Sequence, residues 1–356
     1  MSREPTSVGS SRLLKRAALS PTFHCIPSPL PTNGELALTH GPVTDSLDEI
    51  DMSAAASRNQ TGITALILGA TGIGFAPLFV RMSELGPFAT AAHRMILASP
   101  LLWLWSRWES QAHPGLRQPR VAADFLWMGL VGFFFSGDMA LWNWSLHLTT
   151  VANSTLITNL TPLIVMITAR VLFGEPITKY YLIGMPIALA GVILMVRSTS
   201  PALEDHWKGD LVSVGALLFY AGYLLALRRL RILYSSASIL CWSGLFSAAM
   251  LSLVAVAAGE PLLPSTSVGW LPLLALAGIS HVGGQGFIAY GFGHVSASVG
   301  ALVLLVQPVV AMILAWGLLC EPLAPIQCVG ALTVLAGITI ACRKPERATE
   351  DGTKSG

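Results

Sequence analysis

The sequence predicts an all-α integral membrane fold of ten transmembrane helices arranged as two inverted five-helix repeats, and three observations support it. The chain of 356 residues is 53% hydrophobic and only 11% charged, less than half the roughly 25% charge of soluble domains. Apolar runs close to the ~20 residues needed to cross a bilayer recur along it with short polar breaks. Finally, Pro162 and Pro308, Glu175 and Glu321, Gly184 and Gly330, and Gly191 and Gly337 are each 146 positions apart, one ungapped offset that marks an internal repeat.

Taken in order, the first unit places spans near 61–81, 87–106, 125–147, 151–173 and 180–196. The second places them near 210–227, 236–258, 270–292, 297–319 and 325–342. Gly132 with Gly278 and Gly137 with Gly283 keep the same offset, while Arg81 and Arg228 close the first helix of each unit at an offset of 147. Five spans is an odd number, so the second unit starts on the opposite side of the membrane and the halves are inverted. The expected organisation is a disordered tail at 1–60, repeats at 61–197 and 208–342, and a cytoplasmic tail at 343–356.

Residues 1–60 are rich in Ser, Pro and Thr and lack a spanning run, so they cannot bury a core. Their SRLLKRAALS stretch is basic and nearly acid-free, weakly like a transit peptide; a plain cytoplasmic tail or a true start at Met52 are the simpler readings. Sixteen Lys and Arg fall in segments on the side of the amino terminus, against Arg81, Arg197 and Lys208 opposite, with Arg94 and Arg170 inside helices. That asymmetry places both termini in the cytoplasm of a multi-pass cell-membrane protein. The five cysteines show no CxxC spacing, so no disulfide framework, metal site or cofactor is expected.

Several stretches together carry a family resemblance: RMSELGPFATAAHRMILA (81–98), SGDMALWNWSLHLTTVANSTLITNLTPLIVMITARVLFGEP (136–176), WKGDL (207–211) and QPVVAMILAWGLLCEP (307–322). In this order and at this offset they resemble the drug/metabolite transporter superfamily, EamA type with two EamA units, over about residues 62–342. The resemblance implies ten helices, a cavity lined by the first four helices of each unit, and export or exchange of small metabolites. It implies no single substrate. The tail lies outside the pattern, and the seventh span, SASILCWSGLFSAAM, has no counterpart of Arg94.

Polar residues inside the spans are the candidates for a site, because an idle charge in lipid costs at least a few kcal/mol. Counting ~1.5 Å per residue puts Asp138 and Arg94 both about 10 Å below the outer edge, on consecutive helices, which suggests a pair. It is read either as a fixed bridge or as a coupling site in which Asp138 takes a proton or a substrate amine while Arg94 tunes it. Trp142 and Ser145 share a helical face with Asp138, where Trp142 could stack on a ligand or anchor at the interface. His281 and Gln285, at i and i+4 near the midplane, suit proton coupling or a helix-to-helix hydrogen bond. Asn159 with Pro162, and Gln307 with Pro308, combine polar groups with prolines that free a carbonyl or bend the helix. Tyr220 and Tyr223 complete the lining, and Glu175 and Glu321 are read as helix-ending residues.

These features predict a secondary transporter moving a small polar or amphipathic metabolite by alternating access on a proton or counter-solute gradient. The expected partners are the small-molecule substrate, the lipid bilayer and a second copy in a homodimer, with no nucleic acid. A membrane enzyme or a channel is the alternative. The sequence lacks HExxH, GxSxG and a Walker A lysine, Asp138 has no second mid-membrane aspartate, and no ring of like charges is visible.

Overall fold

The computed structural model describes residues 43–112, 117–145, 148–149, 151–197, 207–319 and 323–343. The chain divides into a unit of residues 1–49 and a unit of residues 50–356, and the account below concerns the second. Among the described residues the fold is all-helical, apart from an isolated bridge between Arg117 and Tyr234. The helices are α1 (Val43–Gly74), α2 (Ala76–Met82), α3 (Pro87–Ala112), α4 (Ala122–Ser145), α5 (Val151–Thr158), α6 (Thr161–Phe173) and α7 (Lys179–Arg197). There follow α8 (Trp207–Leu230), α9 (Ser236–Ala257), α10 (Trp270–Ala275), a π-helical segment (Leu276–Gln285), α11 (Gly286–Phe292), α12 (Ala297–Val303), α13 (Val306–Leu319) and α14 (Pro325–Ala341).

Eight stretches are long and apolar enough to span a membrane: 59–82, 122–145, 154–173, 179–196, 207–230, 236–257, 270–292 and 297–318. Of the two other expected spans, α14 is apolar but 17 residues long. The other, α3, has 26 residues, and His93, Arg94 and Pro100 dilute its apolar character. Each of the ten tryptophans lies within the outer ten residues of a helix or of a run of continuous helices, the pattern of aromatic belts at two interfaces.

Three expectations need correction. Residues 43–60, read from composition as part of a disordered tail, are the opening turns of α1. Four expected continuous helices are also interrupted: 61–81 at Phe75, 151–173 at Asn159–Leu160, 297–319 at Leu304–Leu305, and 270–292 by the π segment. Pro162 and Pro308 thus do not bend unbroken helices. Each sits in the first turn of a new helix, where a missing amide is tolerated.

The closest helix pair is α7 with α14. A methyl added at Gly191 would lie 2.6 Å from the Gly330 carbonyl oxygen, and one at Gly337 would lie 2.6 Å from that of Gly184. The two contacts run in opposite directions along the helices, so the pair is antiparallel. They also exchange under the 146-residue offset. A second antiparallel pair, α3 with α9, is capped reciprocally: Glu260 accepts from the Phe88 and Ala89 amides (3.3 and 2.7 Å), and Glu109 accepts from the Ala237 amide (3.3 Å). Glu84 closes the same end as Glu260, accepting from the Ser265 and Thr266 amides (2.8 and 3.1 Å) and from the Thr266 hydroxyl. Those bonds, the hydroxyl's first, hold the exposed Glu84 carboxyl below its ordinary range.

At the opposite end, Asp124 accepts from Arg117 (2.6 Å), from the Arg120 amide (2.9 Å) and from the Tyr234 hydroxyl (2.7 Å). Glu175 accepts from the Ala297 and Ser298 amides at the start of α12 (2.9 and 3.3 Å), whereas the helix it follows, α6, ends at Gly174 in a left-handed conformation. The repeat partner of Glu175, Glu321, lies outside the described residues.

Candidate functional site

Arg94, from α3, is buried, with a relative exposure of 5%. Its Nη2 donates to the Ser280 carbonyl oxygen at 3.4 Å, and its Nε has no partner. Ser280 lies in the π segment, whose sequence LAGISHVGGQ contains Gly278, Gly283 and Gly284. Glycine weakens the α-helical preference, and π turns recur at functional sites. Nothing lies within 4 Å of a methyl placed on Gly278, so this stretch keeps open space beside it.

His281 follows in the same segment. Its buried ring faces Phe135 of α4 with centroids 5.9 Å apart, and neither ring nitrogen has a hydrogen-bond partner. Gln285 accepts from the Tyr223 hydroxyl at 2.9 Å. Tyr223 packs on Phe135 (4.8 Å) and stacks with Tyr220 (6.1 Å, 16° between planes). The fold brings together four of the expected residues, His281, Gln285, Tyr220 and Tyr223. It adds Phe135 and Ser280, which the sequence analysis does not name. Phe135 was legible as the i−3 neighbour of Asp138 on one helical face, and Ser280 only as the residue beside His281.

Asp138 is buried at 6% exposure beside this group. The expected direct bridge to Arg94 is absent: no Arg94 nitrogen comes within 4.0 Å of an Asp138 oxygen, and the two interact only at longer electrostatic range. Arg94 reaches across to the π segment instead. Among the described residues no hydrogen bond reaches the Asp138 carboxylate. Arg94 is also within electrostatic reach of Tyr220, Tyr223 and His281, so these five groups form one polar cluster with Gln285.

Asn159, Pro162, Tyr220 and Gln307 line a small cavity of about 30 Å³ at the breaks before α6 and α13, space for a water molecule or two. Asn159 Nδ2 donates to the Thr155 carbonyl (2.7 Å), while the buried Gln307 amide lies beside the Tyr220 hydroxyl. The Pro162 carbonyl accepts from the Tyr181 hydroxyl at 3.3 Å. Pro308 stands next to Gln307 without lining the cavity. Among the described residues no hydrogen bond or ring contact joins the Trp142 side chain to the cluster; its carbonyl accepts from Ser145, whose hydroxyl also meets that of Ser154 at 2.8 Å. A wider open groove of about 380 Å³ between α1 and α11, lined by residues such as Gln60, Thr64 and Tyr290, contains none of the expected site residues.

Among the described residues no group of three or more His, Cys, Asp or Glu could hold a metal ion. The cluster is suited to binding and to proton exchange: a carboxylate without donors, a guanidinium and an imidazole without full partners, and an aromatic wall.

Comparison with known proteins puts a family name on this arrangement. The "EamA-like transporter family" matches residues 60–197 and again 207–343. The chain is 25% identical over 279 residues to "Uncharacterized transporter YyaM" of Bacillus subtilis (strain 168), covering 76% of this chain and 89% of that protein. It is 27% identical over 125 residues to "Probable transport protein YPL264C" of Saccharomyces cerevisiae (strain ATCC 204508 / S288c), covering 35% of each. A solved crystal structure shares the fold with a TM-score of 0.64 at 20% identity, over 80% of this chain and 97% of that one. Arg94, Asp138 and Asn159 come from the first matched segment, and Tyr220, His281, Gln285 and Gln307 from the second. With both segments matched and a membrane-embedded polar cluster between them, this chain is a multi-pass membrane protein that belongs to the EamA-like transporter family.

Proposed function

We propose that the protein is a secondary transporter of a small polar or amphipathic metabolite. It works by alternating access between two inverted five-helix repeats, 61–197 and 208–342, with ten spans, both termini cytoplasmic and the cell membrane as its site. A proton or counter-solute gradient drives it. The observation that supports this most is that one buried cluster draws Arg94 and Asp138 from one matched segment and Tyr220, Tyr223, His281 and Gln285 from the other. A site shared between inverted halves is opened to either side when one half rocks on the other. The antiparallel glycine contacts of α7 and α14, which exchange under the repeat offset, agree with a two-fold relation in the membrane plane.

In this reading Asp138 is the coupling carboxylate, and the missing ion pair favours it over a fixed bridge, because a bridge that holds helices together must be formed. Arg94 holds the π segment through Ser280 and sets the field at Asp138. Counterflow in proteoliposomes tests the proposal. Asp138→Asn is expected to insert and fold but lose transport or its pH dependence, and Arg94→Gln to shift the pH optimum. Full, normally pH-dependent transport in the double variant would refute the coupling role.

A further inference from the structure

The bonds at the start of the 297–318 span bear on how the cluster is reached, on the premise that the transporter reading is right. Ser298, from the second matched segment, is held three times by residues of the first. Its amide and its hydroxyl donate to Glu175 (3.3 and 3.2 Å), and its carbonyl accepts from the Tyr181 hydroxyl (3.3 Å). The neighbouring Ala297 amide donates to Glu175 as well (2.9 Å). The Tyr181 hydroxyl also lies 3.3 Å from the Pro162 carbonyl oxygen, so one hydroxyl sits between the first turn of α6 and the first turn of α12. Tyr181 and Ser298 are buried, whereas Glu175 is half-buried and open to water.

These bonds adjoin the small cavity at the helix breaks. Pro162 lines that cavity, and so does Ala301, one turn after Ser298. Tyr220 lines it too and stacks on Tyr223, which joins the cavity to the polar cluster. Other bonds between the two matched segments are placed differently. Glu260 on the Phe88 and Ala89 amides and Glu109 on the Ala237 amide tie α3 to α9 at both ends, so this pair cannot part at one end alone and forms a frame. By contrast α12 is a seven-residue piece packed on α6 and set off from α13 at Leu304–Leu305. There the amides of Leu305 and Gln307 bond three residues back instead of four (3.0 and 2.9 Å). Breaks at the ends of elements are where a hinge absorbs a change of backbone angle.

We propose that Glu175 and Tyr181 latch the inner gate of the transporter, on the side of Arg117 and Arg231. With the latch made, α12 lies on α6 and the cavity is shut from that side. With it broken, α12 turns at Leu304–Leu305 and opens the cavity and the cluster behind it. A bond present in only one of two states sets the ratio between them. Removing a carboxylate that satisfies two helix-start amides is expected to move that ratio about 5- to 30-fold toward the inner-open state.

The test reads accessibility and needs no knowledge of the substrate. The full-length protein, with its five native cysteines replaced, carries Ala301→Cys as a single thiol in right-side-out and inside-out vesicles. A membrane-impermeant maleimide is the probe. A parallel protein keeps only the native Cys241, buried in α9, as a monitor of general loosening. Glu175→Ala and Tyr181→Phe are each expected to speed labelling of Ala301→Cys from the inner face, by about 5- to 30-fold for Glu175→Ala. Labelling from the outer face is expected not to rise, and Cys241 to stay protected. Glu175→Gln, which keeps one acceptor oxygen, is expected to fall between Glu175→Ala and the unaltered protein. Tyr181→Phe removes a single hydroxyl from the packing, so it decides the matter where Glu175→Ala does not fold. Faster labelling from both faces, or of Cys241 in step with Ala301→Cys, would show a merely structural contact and overturn the latch. Unchanged inner-face labelling in both variants overturns it too and leaves the transporter reading standing. Single-channel current steps from the unaltered protein in planar bilayers would remove both.

Discussion

Substituting Gly191 by alanine probes the close seam between α7 and α14. The added methyl would lie 2.6 Å from the Gly330 carbonyl oxygen and 2.6 Å from the Val334 amide nitrogen, both backbone atoms of α14. A methyl in ordinary contact sits at about 3.4 Å, so the two helices must part by roughly 0.8 Å. Backbone atoms of a helix cannot rotate aside as a side chain can. A radial gap of that size forfeits about a quarter to a half of the dispersion attraction along the seam, and overpacking of this kind costs about 1–3 kcal/mol. Alanine regains up to ~1 kcal/mol of helix propensity, which leaves a net loss of about 0–2 kcal/mol and a deficit of about 1–3 kcal/mol against a control that gains the same propensity.

The repeat makes the prediction sharper. Gly337→Ala, the symmetry mate, is expected to cost at least as much, because its methyl meets the Ala188 amide nitrogen at 2.4 Å and the Gly184 carbonyl at 2.6 Å. Gly191→Ala with Gly330→Ala strains one contact twice and is expected to be less than additive. Gly191→Ala with Gly337→Ala strains two contacts about 10 Å apart and is expected to add. The assay is equilibrium unfolding in mixed micelles, with Gly317→Ala as control, since a methyl there meets nothing within 4 Å. Gly191→Ala and Gly337→Ala as stable as that control would refute the close-packing account.

The acid limb of stability offers a second test. Because the folded Glu84 carboxyl is held below its ordinary value of 4.5, its contribution is present above that pH and is lost as the pH falls through the lowered folded value. Glu84→Gln is therefore expected to flatten the thermal stability profile below about pH 4.5, and an unchanged acid limb would count against the Thr266 clasp. Removing the cap in Glu175→Ala frees the Ala297 and Ser298 amides of α12 and is expected to cost about 1 kcal/mol in the same micelle assay. Glu175→Gln, which keeps an acceptor, should recover part of that loss. Reporter fusions after Arg120 and Arg231 are expected to report cytoplasm, and those after Leu203 and Pro264 the outside; a stable fusion giving the reverse would break the inverted arrangement.

The helical class and the approximate helix positions were legible in the sequence because they depend on local properties. Apolar runs bounded by Pro, Gly and charged residues define a helix in lipid whatever its neighbours are, and expected and observed helix ends mostly agree within a few residues. The constant offset was equally legible, and Gly184, Gly191, Gly330 and Gly337 proved to mark the tightest helix seam. Composition did not reveal that α1 opens at Val43.

For the site, the sequence by itself determined which residues had to find partners: Arg94, Asp138, His281 and Gln285 stand in apolar text, and lipid tolerates none of them idle. What those partners are was decided only by the tertiary structure. Equal depth on consecutive helices suggested that Arg94 would meet Asp138, but depth fixes a position along the membrane normal and says nothing of the rotation of each helix about its axis. That rotation is set by packing between distant segments, here α3 against α9 and the π segment, and it turns Arg94 toward the Ser280 carbonyl. The hydrogen bond of Tyr223 to Gln285 and the carboxylate cap of Glu260 on Ala89 have the same origin: each joins residues tens to nearly two hundred positions apart, beyond the reach of any local pattern.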